Sequence, residues 1–179
     1  MLDLKNITVA EYMELPTTIM YDILNHVSGE NKFNGKKCNI MNLPYTNVKY
    51  CIFLLQKITN FKTICEVFTE VFGTTEYEFY NALILDFFKA RNHIIETFKI
   101  ITNNEFLISQ GGNIDKGKWQ MAGSDRLKPY DSVLTLDQLA QRYGGYPFDY
   151  GRKPYSEIFY LIAMTKTSNE VNYNYSTIK

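Results

Sequence analysis

Residues 75–101 read TEYEFYNALILDFFKARNHIIETFKII, and this stretch decides the fold. Its apolar residues recur at helical spacing, and Thr75 and Glu78 in front of them have the spacing of a capping box. The pattern predicts one long helix over residues 76–101, about 40 Å long at 1.5 Å per residue. The apolar stripe of this helix is wide, which favours packing against several shorter helices rather than a coiled-coil seam.

Helix-start signals also occur on both sides of this stretch. Capping boxes begin at Thr8 and Thr135, and prolines suited to a first helical turn stand at Pro16, Pro44 and Pro154. With the apolar periodicity that follows them, they predict an all-α fold, an irregular helical bundle around one long central helix. The shorter helices are predicted at 9–15, 17–28, 45–58, 61–72, 119–127, 136–142 and 155–166.

Two of the proline-led helices start with similar strings. Pro44-Tyr45-Thr46-Asn47-Val48 resembles Pro154-Tyr155-Ser156-Glu157-Ile158. The similarity indicates either a weak internal repeat or one good helix start used twice. We favour the second interpretation, because the linkers that precede the two strings differ greatly in length.

The domain organisation is predicted from breaks in the pattern. Gly111-Gly112, with Gly117 soon after, separates a helical core domain (1–110) from a smaller, aromatic-rich C-terminal helical subdomain (111–166). The polar residues 167–179 are expected to form an extended tail that is flexible or ordered by a partner. Residues 30–43 are polar and predict a loop that carries function or contains a short hairpin.

Composition narrows the function classes. Lys and Arg total 19 and Asp and Glu total 19, so the net charge is zero and a dedicated nucleic-acid binder is disfavoured. The three cysteines have no CxxC spacing, which fits a reducing compartment. No secretion signal or membrane-spanning segment is expected, because the apolar runs are short.

The sequence offers little catalytic or metal-binding chemistry. His26 and His93 have no patterned carboxylate or nucleophile, and Glu66 and Glu70 lack an accompanying Glu-x-x-His. The glycine-rich residues 111–118 lack the Ser or Thr that a phosphate loop needs. We therefore predict no catalytic residue, no cofactor and no metal site. An enzyme built from scattered Asp, Glu and Tyr side chains stays open and would require a deep polar pocket.

Aromatic and arginine side chains are the main recognition candidates, since Tyr, Trp and Arg are enriched at protein interfaces. The alternative for the rings is a small core under a long loop, and the two interpretations are about equally favoured. The interface candidates are Trp119, Arg142, Tyr143, Tyr146, Phe148, Tyr150, Arg152, Tyr155, Tyr173 and Tyr175.

The end of the chain resembles small structural and assembly proteins of tailed bacteriophages, the crAss-like phages foremost. The resemblance rests on a short helix with the pair Leu139-Ala140, a linker, and the helix led by Pro154. It implies a non-enzymatic virion protein, assembled in the host cytoplasm, that contacts the portal, the tail or neighbouring copies in a symmetric homo-oligomer.

Within that resemblance, a head-to-tail connector or ring protein, or another tail component, is the leading hypothesis, and a tail-assembly chaperone is the alternative. Neither involves a membrane, and nucleic acid is not an expected partner. From a different class, a small regulator that binds nucleic acid through the predicted helices 136–142 and 155–166 is a further alternative, with zero net charge against it.

Overall fold

The predicted all-α fold is confirmed. The computed structural model describes residues 4–15, 21–56, 60–109 and 116–178, and every regular element in those ranges is a helix. The chain divides into two compact units, one formed by 1–40 with 50–101 and the other by 41–49 with 102–179. The domain boundary predicted at residue 111 lies outside the described residues.

The first unit contains α1 (Val9–Met13), α2 (Tyr21–Asn25), α4 (Phe61–Phe72), α5 (Glu76–Tyr80) and most of α6 (Ile84–Ser109), together with the later part of α3 (Tyr45–Gln56). Helix α4 has the predicted bounds, capped by the Asn60 side chain and closed by Gly73 in the left-handed conformation. The capping boxes predicted at Thr8 and Thr75 are confirmed. Pro16 lies outside the described residues.

The prediction of one helix over 76–101 is wrong in one respect: the structure has two helices there, α5 and α6. An isolated antiparallel bridge joins Thr8 to Leu83 at the break. The Val9 amide donates to the Ala82 carbonyl at 2.9 Å, and the Ile84 amide donates to Ile7 at 2.9 Å. These bonds use backbone groups that a continuous helix would keep for itself, so a new helix begins at Ile84.

The predicted loop 30–43 contains a short hairpin-like turn. Asn34 and Gly35 both have positive φ, 47° and 76°, between Phe33 and Lys36, whose backbone groups exchange two hydrogen bonds. The turn points Phe33 inward, where it is fully buried with its ring centroid 4.6 Å from that of Phe68. Phe33 therefore joins a phenylalanine cluster that forms the core of this unit, with Phe68, Phe72, Phe79, Phe87 and Phe88.

The second unit contains the start of α3, the end of α6, α7 (Lys116–Met121), a 3-10 helix (Ser124–Tyr130), α8 (Asp131–Tyr143), α9 (Pro147–Gly151) and α10 (Tyr155–Thr177). The capping box predicted at Thr135 is wrong. Helix α8 starts earlier, at Asp131, and Thr135 lies inside it, where its hydroxyl donates to the Asp131 carbonyl at 3.1 Å.

Helix α10 is longer than the sequence predicts. It continues through residues 167–177, which we expected to form an extended tail. Every residue from 169 to 178 is exposed. The last turns of α10 therefore receive little support from the rest of the chain.

Cys51 and Cys65 are buried, as expected for small core residues, and all three cysteines are free. Burial, with the nearby Glu70 carboxylate adding to it, raises the pKa of the Cys51 thiol to about 12. None of the helices in the described ranges combines the length and hydropathy that crossing a membrane requires.

Candidate functional site

The two similar proline-led strings meet in the second unit. An antiparallel bridge pairs Pro44 with Pro154 directly before α3 and α10. The Tyr45 amide donates to the Lys153 carbonyl at 2.9 Å, and the Tyr155 amide donates to the Leu43 carbonyl at 2.8 Å. The bonds are reciprocal, so each helix start satisfies an amide that its own helix leaves without a partner.

The pairing stacks two tyrosines, and one of them bonds to a carboxylate that also accepts from a lysine. The rings of Tyr45 and Tyr155 are buried with centroids 5.9 Å apart. The Tyr155 hydroxyl donates to one oxygen of Glu105 at 3.0 Å, and the Lys49 ammonium donates to the other at 2.9 Å. Burial raises the pKa of both tyrosines well above the usual range, and the Glu105 carboxylate adds to the effect.

This cluster borders a cleft of about 970 Å³ within the second unit. The cleft lies among the start of α3, the end of α6, α8 and α10, and its walls mix charged, polar and apolar groups. Its lining includes Tyr45, Lys49, Glu105, Asp131, Thr135, Gln138, Leu139, Phe159, Ile162, Lys166 and Tyr173. This cleft could not be predicted from the sequence, because its residues come from four separate segments.

Several ionisable groups in the cleft are paired with other groups of the second unit. Lys49 and Glu105 form an ion pair, and Lys166 contacts the Ile108 carbonyl and lies 3.7 Å from Glu170. A phenol is protonated at neutral pH even at its ordinary pKa of about 10, and burial raises the pKa of these two tyrosines further. A base or nucleophile needs its reactive form near neutral pH, and these phenols do not have it.

Most of the predicted interface candidates lie on the surface of the second unit. Tyr146 is 62% exposed and Phe148 is 54% exposed, and their ring centroids are 5.6 Å apart. Arg142, Tyr143 and Arg152 are also exposed. We call the segment 142–148, from the end of α8 to the start of α9, the aromatic connector.

Internal hydrogen bonds hold the aromatic connector in place. The Tyr150 hydroxyl donates to the Gly144 carbonyl at 2.7 Å. Gly144 and Gly145 have φ values of 78° and 90°, which other residues adopt only with strain. The Arg142 guanidinium donates to Ser168 and Asn169, and the Tyr143 hydroxyl is 3.0 Å from that of Thr165. The connector is thus tied to α10.

Two of the candidates are core residues instead. Tyr150 and Tyr155 are buried, and their hydroxyls bond within the unit, so the small-core interpretation holds for these two. Trp119 lies in α7, and its side chain is outside the described part of the structure. Tyr173 and Tyr175 lie on the last turns of α10 and are exposed.

Sequence reasoning identified only Tyr175 of a second exposed surface and missed its other residues. Tyr160, Met164, Val171 and Tyr175 lie on one side of α10 and are exposed, and Ile178 continues the line at its C-cap. We call these five residues the outer stripe. The spacing of seven from Met164 to Val171 and from Val171 to Ile178 is the signal that reveals it.

Glu66 and Glu70 lie on the edge of a smaller hollow of about 330 Å³ in the first unit, beside Tyr50 and Lys62. In the described ranges, no group of three or more His, Cys, Asp or Glu side chains is arranged to hold a metal ion. Comparisons with protein-family models, with curated sequences and with solved structures found no match.

Proposed function

We propose that this chain is a non-enzymatic structural protein of a tailed phage virion, a head-to-tail connector, ring or tail component, which acts by protein–protein contact. The observation that carries the proposal is the aromatic connector. It places the exposed rings of Tyr146 and Phe148 beside each other, with two exposed arginines nearby. Aromatic rings and arginine are the side chains that anchor protein interfaces.

The connector suits this role because it is held before a partner arrives. The bond from Tyr150 to Gly144 and the bonds from Arg142 to α10 fix the segment on both sides. A surface that is already ordered loses less conformational entropy on binding. The exposed parts of the Tyr146 and Phe148 rings then contribute apolar area to the interface.

The cleft of the second unit is a polar pocket, and such a pocket would favour the enzyme hypothesis. Against catalysis stand the neutral tyrosines and the two lysines engaged by carboxylates or a carbonyl. These groups stabilise one another and leave the cleft without an activated nucleophile among its described residues. We therefore place recognition ahead of catalysis.

Two other functions remain as alternatives. A tail-assembly chaperone would use the same exposed rings but leave the finished particle. A nucleic-acid regulator would use α8 and α10, with Arg142 at the end of α8, and would bind DNA with a steep dependence on salt. The zero net charge of the chain weighs against the second alternative.

The test is the copy number of the chain in purified virions of the phage that encodes it, measured by quantitative mass spectrometry against the major capsid protein. We expect about six to a few dozen copies, as symmetric rings contain. Absence from the particle, with abundance in infected cells, would contradict the virion proposal and favour the chaperone or the regulator.

Two variants test whether the aromatic connector is needed for incorporation into the virion. Replacing Tyr146 and Phe148 together by serine should lower incorporation at least about tenfold, since that corresponds to only about 1.4 kcal/mol of binding. Tyr77→Ser is the control, because Tyr77 is also an exposed aromatic residue, 78% exposed, but lies in the first unit. Equal incorporation of both variants would show that the connector is not part of the interface.

A further inference from the structure

We infer that the outer stripe of α10 pairs with the same stripe of a second copy of this chain. The inference deepens the proposed function and rests on it, since it names one partner of an assembly protein. The stripe consists of Tyr160, Met164, Val171, Tyr175 and Ile178. It runs about 27 Å along the helix at 1.5 Å per residue.

The last turns of α10 receive little packing from the described part of the chain. Residues 168–177 are almost all Ser, Asn, Tyr, Val and Thr, which are weak helix formers. They are exposed from Asn169 onward, so packing within the chain does little to compensate. Short helices without packing are marginal in water. A surface that covers the outer stripe supplies the missing stabilisation.

The spacing of the outer stripe indicates which kind of helix can pack against it. Met164, Val171 and Ile178 recur every seven residues, and the second seam position of each repeat lies four residues before them, at Tyr160, Thr167 and Asn174. Such a seam packs against a helix with the same period of 3.5 residues. A second copy of α10 has this period by construction, and the contact is then two-fold symmetric.

The charge of the stripe favours a copy of itself over a charged partner. The residues that flank the seam are uncharged except for Glu170, which lies 3.7 Å from Lys166; the others are Leu161, Ala163, Ser168, Tyr175 and Thr177. Two neutral seams meet without burying like charges. The chain as a whole carries no net charge, so its copies do not repel one another at long range.

The test is sedimentation equilibrium of the full chain from roughly 1 to 200 μM, which brackets micromolar dissociation constants. We expect a monomer–dimer equilibrium. Val171→Glu should raise the dimer dissociation constant at least about tenfold, since it puts a charge into the apolar seam. Asn172→Glu is the matched control: it adds the same charge at the next exposed residue, off the stripe, and should leave the equilibrium unchanged.

A gain-of-function variant and a second readout complete the test. Thr167→Leu fills a seam position with an apolar side chain and should tighten the dimer. Amide protection of residues 169–178 should rise with protein concentration. All the variants lie on exposed or half-exposed positions, so circular dichroism at 222 nm should show that the fold is retained.

A monomer over the whole range, or equal effects of the substitutions at 171 and 172, would overturn the inference. If the chain is monomeric and residues 169–178 gain protection only with another virion protein, the occupant is that protein and not a second copy. Incorporation into virions is measured separately, through Tyr146 and Phe148. A failed dimer with normal incorporation would therefore leave the proposed function intact.

Discussion

The ring of Tyr45 lies stacked on the ring of Tyr155, with the two planes inclined by only 6°. Each tyrosine is the first residue of a helix, and each donates its amide across the bridge between Pro44 and Pro154. Tyr155 also donates its hydroxyl to Glu105 on α6. One buried contact therefore ties together three helices of the second unit.

Removing the Tyr155 hydroxyl should weaken this junction. Tyr155→Phe keeps the stacked ring but takes one donor from the Glu105 carboxylate, and a hydrogen bond to a charged group contributes about 2 kcal/mol. We expect a loss of that size in the free energy of unfolding, measured by urea denaturation. Tyr143→Phe, which removes an exposed hydroxyl near Thr165, should cost under about 0.5 kcal/mol. Equal losses of stability in the two variants would show that the bond to Glu105 contributes no more than an exposed hydrogen bond.

Gly151 allows α9 to lie close to the start of α3. A Cβ at this position would be 2.8 Å from Thr46 Cγ2 and 3.3 Å from Leu136 Cδ1. The Thr46 hydroxyl donates to the Gly151 carbonyl at 3.0 Å, so Thr46 cannot move away without losing that bond. Gly151→Ala should therefore destabilise the protein by about 1–3 kcal/mol, the usual cost of overpacking.

The control for this substitution is Gly117→Ala, measured by the same thermal or urea denaturation. Gly117 is exposed within α7, where alanine is the better helix former, and the change should be neutral or stabilising. A Gly151→Ala protein as stable as the wild type would mean that α9 can shift without cost.

The predictable parts of the fold are those whose partners are close in sequence. The capping boxes at Thr8 and Thr75 were predictable because each threonine and its glutamate are three residues apart. The interruption before Ile84 was not, because its cause is a bridge from Leu83 to Thr8. Thr135 misled for a related reason: the 3-10 helix before Asp131 lets α8 begin a turn earlier.

Only the aromatic composition of the candidate site could be predicted from the sequence. Aromatic residues near Gly144 predicted an interface or a small core, and the structure places Tyr146 on the surface and Tyr150 in the core. Burial depends on long-range packing that a single sequence does not encode locally. No local pattern indicated the role of Glu105, since its partners Lys49 and Tyr155 lie 56 and 50 residues away in the sequence.

Asn92 holds the end of α2 in the first unit. It is a buried polar residue, and its amide group donates to the carbonyls of Asn25 at 3.1 Å and Val27 at 2.8 Å. Asn92→Ala leaves these acceptors without their donor and should cost about 2 kcal/mol in the free energy of unfolding. Asn103→Ala, at an exposed position of the same helix, should have almost no effect in the same urea titration. A neutral Asn92→Ala would show that water replaces the side chain.

Stability should fall in acid through Glu78. Its carboxylate accepts from Lys36 at 2.9 Å and from the Thr75 amide at 2.8 Å, and these two contacts, the Lys36 bond first, hold the pKa of Glu78 below its ordinary value of 4.5. The folded state then binds fewer protons than the unfolded state, so the stabilisation is present above the unfolded pKa. It is lost as the pH falls through the lower pKa of the folded state.

Glu78→Gln tests this linkage, because glutamine can still accept from Thr75 but cannot form the ion pair with Lys36. We expect the melting temperature of the wild type to fall more steeply than that of Glu78→Gln between about pH 5 and pH 3. Glu76→Gln, two residues earlier on α5, controls for the loss of one negative charge in the first turn and should keep the wild-type slope. Salt should reduce the difference, since Lys36 and Glu78 are both partly exposed. Parallel slopes for the wild type and Glu78→Gln would show that the ion pair forms equally well in the unfolded chain.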